Sequence, residues 1–555
     1  MMATTTAIDV NADVAKGCIA PRQVSVVDVL ICAWPALLLA TVCLVPFLNK
    51  PFNIDDPHFL TMAQEIVKDP LHPKDFDILW NTYETRMKAY LLTPGNELMG
   101  YVLVPTVLWG AHECIAHLTQ LVLAWISVLA MSSLALRLGW NRWYAMIGGL
   151  LLVAMPPFLP MASTAMPDIL ATTLALLAME RLAAWKAEQK WTQGAAAAVA
   201  LGLGGHARSQ LVLLLPLAAF FLLETIRPKE ILEQVRRRLW LWTPVVAGFV
   251  LLFAIVFAVR EHHFMPPAIV TGTQSMPYNL SCYLLYFAFP LPLAACWAAS
   301  RLKVGRQPIT AILSAVLVVF WLLFWHQPIA RFLAIAGLAL AGCSAILGAL
   351  FEAWRKRDHL GLFLVLWILI PLPIVYYNIL PMKYLLPCMP AVILLCLRLV
   401  EDVSMRKIRV AAIAWIVAST GYSLLILRSD AEFAEFGRDA LYQLITPHVA
   451  AGEKVWFGGE YWSYWYAPLA GATLTFPGGP QPKPGDLLVS DEFAWEAHPP
   501  QTRFRHRTLV ETITHKYQFG RTMGAGIGLY SNGSGIWLWG FGDSYNDRFE
   551  LWRID

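Results

Sequence analysis

Long apolar runs alternate along the chain with short polar connections rich in basic residues, and that rhythm sets the architecture. A bilayer core is crossed by about 20 mostly apolar residues in helical form. Runs of that kind lie near residues 28–48, 115–136, 143–160, 168–185, 194–207, 209–225 and 239–259. Others lie near 281–300, 308–326, 331–352, 360–379, 384–399 and 409–427. The short pair between 194 and 225 is broken at Gly204–Gly205–His206–Ala207–Arg208. The pattern predicts an all-α polytopic membrane protein of about 13 transmembrane helices.

Two hydrophilic stretches interrupt the rhythm. One, residues 49–114, separates the first two spans; the other is the tail, residues 428–555. The expected division is a cytoplasmic segment 1–27, a membrane domain 28–427 and a C-terminal domain 428–555 outside the membrane. Short β-like runs such as Leu487–Val489 and Gly535–Leu538 give the tail the look of a small α/β or β-rich domain. The N-terminus is polar and of mixed charge, and no small-residue cleavage site precedes or follows the first run, so that run reads as an uncleaved span.

Composition agrees. Residues are 57% hydrophobic and 14% charged, where a soluble domain carries about a quarter charged residues. The net charge of +4 is small and gives no sign of a nucleic-acid partner; the placement of the charges matters more. Alternate connections hold Arg137 and Arg142; Arg181, Lys186 and Lys190; Arg227, Lys229 and Arg236–Arg238. The next three hold Arg301, Lys303 and Arg306; Arg355–Arg357; and Arg398, Arg406, Lys407 and Arg409. The intervening short loops carry at most one basic residue each. Basic residues concentrate on the cytoplasmic side, which puts the N-terminus inside and the tail outside. A multi-pass protein of the cytoplasmic membrane is expected. The nine cysteines show no metal-ligand spacing, and none follows Cys396, so the tail has no disulfide framework.

Candidate chemistry gathers at the outer ends of the spans. Asp55–Asp56 stands at the end of the first run, followed by Pro57 and an amphipathic helix to Lys68 with Phe59, Met62, Ala63, Ile66 and Val67 on one face. One Asp before Pro57 is good helix-start chemistry; the second carboxylate is not explained that way. Asp168 lies at the outer junction of the third and fourth runs. It is either a helix-terminal anion or a functional group, since an ionisable residue at membrane depth is costly. His206 and Arg208 occupy the Gly-rich break, and Lys383–Tyr384 opens the twelfth run, where an interface anchor is the common explanation. Glu84, His262 and His263 are candidate ligands for a divalent metal, with no spacing that demands one.

Four segments together resemble a known family. IDDPHFLTMAQEI resembles the D-[DE]-x-x-[YF]-x-x-x-A segment of the GT-C membrane glycosyltransferases, and of their protein O-mannosyltransferase and aminoarabinose transferase group. AMPDILATTLALLAM resembles that group's second acidic segment, and GLGGHARSQLVLLLPL its Gly-x-x-x-Thr-Lys segment. MKYLLPCMPAVILL resembles its Arg-Tyr-Leu-Leu-Pro-x-x-Pro helix. Order and spacing agree over residues 28–400. Arg208 and Lys383 exchange the family's basic residue types, keeping charge but trading a planar fork for a point charge.

The resemblance implies a GT-C fold and inverting transfer of a sugar from a polyprenyl-phosphate donor to an acceptor hydroxyl at the outer face. It implies Asp55 as general base, Asp56 or Asp168 positioning the acceptor, and Arg208, Lys383 and Tyr384 at the donor phosphate. The rival classes are a transporter or flippase for a lipid-linked or small anionic substrate, and a non-catalytic scaffold. Transporters set polar groups at mid-bilayer in repeated halves; here the acids gather at outer ends and no repeat is seen.

Overall fold

The computed structural model describes residues 21–79, 87–92, 96–223, 228–259, 276–291, 293–302, 328–377, 379–401, 403–459, 463–492, 504, 506–524, 526–541 and 547–555. Twelve of the thirteen expected spans coincide with helices there; the run 308–326 lies outside the described residues. Among the described residues, seven helices are long and apolar enough to cross a membrane: Val26–Phe47, Glu113–Arg137, Leu239–Val259, Phe332–Lys356, His359–Tyr376, Met382–Leu399 and Met405–Ala450. Arg142–Ala154 and Ser209–Leu222 are shorter apolar helices. The run 281–300 divides into Met276–Ala288 and Leu293–Leu302. The chain is a multi-pass membrane protein.

The first helix shows how lipid sorts its residues. Its start is capped by Ser25, whose Oγ accepts the Asp28 N–H at 3.1 Å. Val26, Leu30, Trp34, Leu38 and Val42 follow at i+4 spacing and are all exposed, a stripe suited to acyl chains. Cys32, Ala33, Ala36, Ala40 and Cys43 form the opposite face and are buried against the helices Glu113–Arg137 and Arg142–Ala154. Small residues let helix backbones approach closely where hydrophobicity alone gives no drive to associate. Arg137 is only 5% exposed, because Glu180 and Glu188 both bind its guanidinium at 2.8 Å. This cation, expected in an inside loop, therefore packs helices together.

The last span does not end at the membrane. Met405–Ala450 is one helix of 46 residues that passes position 428 without a break and becomes the spine of the C-terminal domain. A five-stranded sheet packs on it, in the order Thr473–Leu474, Val455–Gly458, Leu487–Glu492, Asp547–Ile554, Arg507–His515. The first three strands are parallel, with Ser463–Leu469 as the crossover helix, and the last two join antiparallel. The domain is thus α/β. Alternation places Val455, Phe457, Leu487, Val489, Phe549 and Leu551 in the core shared with the helix, where Phe436 meets Phe549 edge-on at 5.6 Å. Trp456, Leu488 and Ile554 cluster on the other face.

Polar contacts fix the domain to its spine and to the membrane helices. Glu432 accepts the backbone N–H of Gln518 at 2.8 Å and of Phe519 at 3.2 Å, and bonds His515 at 3.0 Å. Asn532 accepts the Leu380 N–H at 2.7 Å and donates to Asn279 at 2.8 Å. The small strands Gly526–Gly528 and Gly535–Trp537 run so close that a Cβ on Gly535 would strike the backbone of Gly526, which only glycine avoids.

Loop charge and fold together predict a labelling outcome. In a background without native cysteines, Lys483→Cys, in an exposed turn of the domain, reacts with a membrane-impermeant maleimide in intact cells. Arg237→Cys reacts only after the membrane is permeabilised. The reverse order would overturn the inside–outside assignment.

Candidate functional site

The site is built on the stretch from Lys50 to Asp56, which turns back from the first span and is buried almost throughout. Lys50 is 2% exposed, and its ammonium pairs with the fully buried Asp430 of the long helix. It also donates to the Ser163 carbonyl at 3.2 Å and the Ser163 hydroxyl at 3.4 Å. Asp430 collects three further donors: Tyr530 Oη at 2.7 Å, Asn53 Nδ2 at 3.2 Å and Thr522 Oγ1 at 3.3 Å. A buried charge pair survives desolvation only when its remaining lone pairs and protons are satisfied. Here they are.

Asp56 extends the same anchor. Its two oxygens accept the Ala165 N–H at 2.7 Å and the Asn53 N–H at 3.1 Å, and its side chain has no exposed surface. Burial pushes its carboxyl up to about 7, against the opposing pull of Lys50. The expectation that Asp56 contacts an acceptor is corrected on this point: its oxygens are occupied by backbone amides and no face is open. It fixes the loop.

Asp55 behaves differently. It takes the N-cap position of the helix Asp56–Lys68, with Pro57 in the first turn, yet its carboxylate makes no capping bond. It lies instead 3.5 Å from Lys383 Nζ, and a quarter of the side chain is exposed, in a cleft. The residue before it, Ile54, has φ of 48°, a conformation costly for a β-branched side chain. Such strain persists only where the surroundings over-determine it, and the buried bonds of Lys50, Asn53 and Asp56 supply that constraint.

The second acid stands beside the first. Asp168 opens the helix Asp168–Glu188, 1% exposed, and its Oδ1 accepts Arg208 Nη2 at 2.6 Å. Arg208 follows the helix Trp191–Ala207 in extended backbone and lies 4.4 Å over the Tyr384 ring. Lys383 lies 5.8 Å from the same ring and 5.1 Å from that of Tyr530. Cations at these distances over a ring face gain about 0.5–2 kcal/mol each. Asp55, Lys383, Tyr384, Arg208 and Asp168 therefore form one chain in which two acid–cation pairs flank the Tyr384 ring. Asp168 Oδ2 and Arg208 Nε are buried without a hydrogen-bond partner among the described residues. The structure brings five of the six expected acid and cation-site residues together, with Asp56 behind them.

No protein-family model matches the chain, and no curated protein matches it by sequence. Distant likenesses exist among solved structures. The oligosaccharyltransferase of Archaeoglobus fulgidus, tethered with an acceptor peptide, is 13% identical over 80% of this chain, with a TM-score of 0.45. This chain spans 64% of that protein's length. ArnT from Cupriavidus metallidurans bound to undecaprenyl phosphate is 14% identical, covering 83% of this chain and 93% of that one, with a TM-score of 0.41. Its apo state scores 0.37 at 12% identity, covering 83% of this chain and 92% of that one. Oligosaccharyltransferase and ArnT are GT-C glycosyltransferases, the family the four sequence motifs resemble. Identities and scores this low carry no activity across.

Glu84, His262 and His263, the expected metal candidates, lie outside the described residues. Among the described residues no group of three or more His, Cys, Asp or Glu could hold a metal ion. Sequence reading missed Lys50, Asn53, Asp430 and Tyr530. Lys50 carried a signal, a basic residue on the outer end of a span where basic residues are scarce. Asp430 falls at the start of what reads as the hydrophilic tail, where an acid is unremarkable, and Tyr530 in a Gly-rich stretch.

Asp56 gives a pH test. With its folded pKa near 7 and its unfolded value near 3.8, the native state holds a proton that the unfolded chain releases between those values. Stability therefore falls as pH rises from about 4 to about 7. Asp56→Asn in lipid nanodiscs is expected to flatten that slope in thermal melts. An unchanged slope would assign the dependence to another group.

Proposed function

We propose that the chain is a GT-C-type glycosyltransferase moving a sugar from a polyprenyl-phosphate-linked donor to an acceptor hydroxyl at the outer face of the cytoplasmic membrane. The observation that carries it is the pairing of one accessible carboxylate, Asp55, with two cations, the buried Lys383 and the partly buried Arg208, that converge on Tyr384. A phosphate leaving group needs fixed positive charge where its own charge develops. Arg208 and Lys383 provide it, already oriented by Asp168 and Tyr384. The likeness to a protein bound to undecaprenyl phosphate fits this donor class.

The step is a single displacement with inversion. Asp55 accepts the proton of the acceptor hydroxyl as its oxygen attacks the anomeric carbon. The bond from that carbon to the phosphate oxygen breaks, and its electron pair stays on the polyprenyl phosphate. Lys383 shifts its contact from Asp55 toward the phosphate, which leaves Asp55 free to take the proton. Asp168 holds Arg208 in place and touches no reacting atom. Its orphaned Oδ2 and the orphaned Arg208 Nε are polar atoms that a bound donor headgroup can satisfy.

Asp55→Asn keeps the shape of the site and removes the base. Transfer from polyprenyl-phosphate-linked sugars by the purified, lipid-inserted protein is expected to drop about 10²–10⁴-fold. Undecaprenyl phosphate binding is expected to stay within about twofold. Transfer near the wild-type rate would remove Asp55 from the base role.

A further inference from the structure

The cleft that opens Asp55 to the outside has two unlike walls. One belongs to the first outer loop and carries Asp55, His58, Thr61 and Asp77; the other belongs to the C-terminal domain and carries Tyr464 and Trp465. The enclosed space is about 220 Å³. The aromatic wall is held rigidly against the Asp55 loop. Tyr466, 2% exposed, accepts the Phe52 N–H at 2.8 Å through its hydroxyl and donates to Glu113 at 2.8 Å. Phe52, three residues before Asp55, meets the Trp465 ring edge-on at 5.9 Å. Aromatic faces placed this way offer large contact area at little entropy cost.

Charge narrows what fits. Burial pushes His58 down to about 3, so that wall gains no cation from it. Asp77 pairs with Lys88 at 3.4 Å on the exposed rim, and Asp55 shares Lys383. With each carboxylate already sharing a lysine and His58 neutral, the described lining offers no spare cation to an anionic acceptor beside its two aromatic rings. It suits a group with an apolar C–H face on one side and neutral hydroxyls on the other.

We propose that this cleft is the acceptor site and that the acceptor is an uncharged saccharide, its ring face against Trp465 and Tyr464 and one hydroxyl at Asp55. This rests on the transferase reading and names its acceptor class. A peptide would not need the paired rings, and a phosphorylated or uronic sugar would meet Asp55 and Asp77.

Saturation-transfer NMR on the full-length protein in nanodiscs tests it, with methyl glucoside, methyl mannoside and methyl N-acetylglucosaminide as probes against glucuronic acid and glucose 6-phosphate. At least one neutral glycoside is expected to receive saturation at its ring protons, and the charged sugars none. Trp465→Ala should weaken that Kd about three- to tenfold, while Trp465→Phe, which keeps a ring, restores most of it. Stronger contact for hexyl than for methyl glycosides marks a lipid-borne glycan, and equal contact a free one; either supports the proposal. Saturation of no saccharide overturns it, as does equal binding by Trp465→Ala or preference for the charged sugars. Undecaprenyl phosphate binding is measured in parallel. Its absence in the wild type counts against the transferase itself, whereas its presence with no saccharide contact counts against the acceptor assignment alone.

Discussion

A single buried ion pair, Lys50 with Asp430, joins the segment that follows the first span to the long helix that carries the C-terminal domain. Both side chains are fully shielded. Removing two charges from water costs several kcal/mol per ion, and an apolar pair would serve stability as well or better. What the charged pair adds is direction. Lys50 binds Ser163 of the loop before the fourth span, and Asp430 binds Asn53, Thr522 and Tyr530. The first outer loop, the loop 155–167, the long helix and the C-terminal domain are thereby held in one register.

That register explains why neighbouring acids behave so differently. Asp56 turns inward onto two backbone amides and holds the loop, while Asp55, one residue earlier and next to the strained Ile54, stays a quarter exposed with only a loose contact to Lys383. Across the mouth, Asp168 and Arg208 repeat the pairing more tightly. Two carboxylates balance two cations here. In the transferase reading proposed above, a phosphate entering between Arg208 and Lys383 displaces that balance and frees a base, which makes donor binding and base activation one electrostatic event.

Much of the fold was legible in the sequence because lipid imposes a simple rule on it: spans must be apolar for their full length. Helices accordingly stand where the apolar runs predict them, and the motifs at Asp55, Asp168, Arg208 and Lys383 converge. The short segment 194–207 forms a helix despite its glycines, since Gly202 and Gly205 let Leu251 and Leu252 pack close. Three features were hidden. The split of 281–300 into two helices leaves the hydropathy unchanged. The continuity of Met405–Ala450 past the membrane carries its apolar pattern into a soluble core, so the expected boundary at 428 falls inside a helix. The anchor residues were hidden because their partners lie hundreds of positions away, 380 residues in the case of Lys50 and Asp430. Only long-range contact distinguishes such a lysine from an ordinary interfacial one.

The central claim, that this ion pair locks the C-terminal domain to the outer loop, is tested most directly by a double-mutant cycle on unfolding in lipid nanodiscs. Lys50→Met and Asp430→Leu should each lose about 3–5 kcal/mol, because each leaves an unpaired buried charge. The double variant should recover most of that loss, a coupling far outside additivity. Losses that simply add, or single variants as stable as the wild type, would contradict the account.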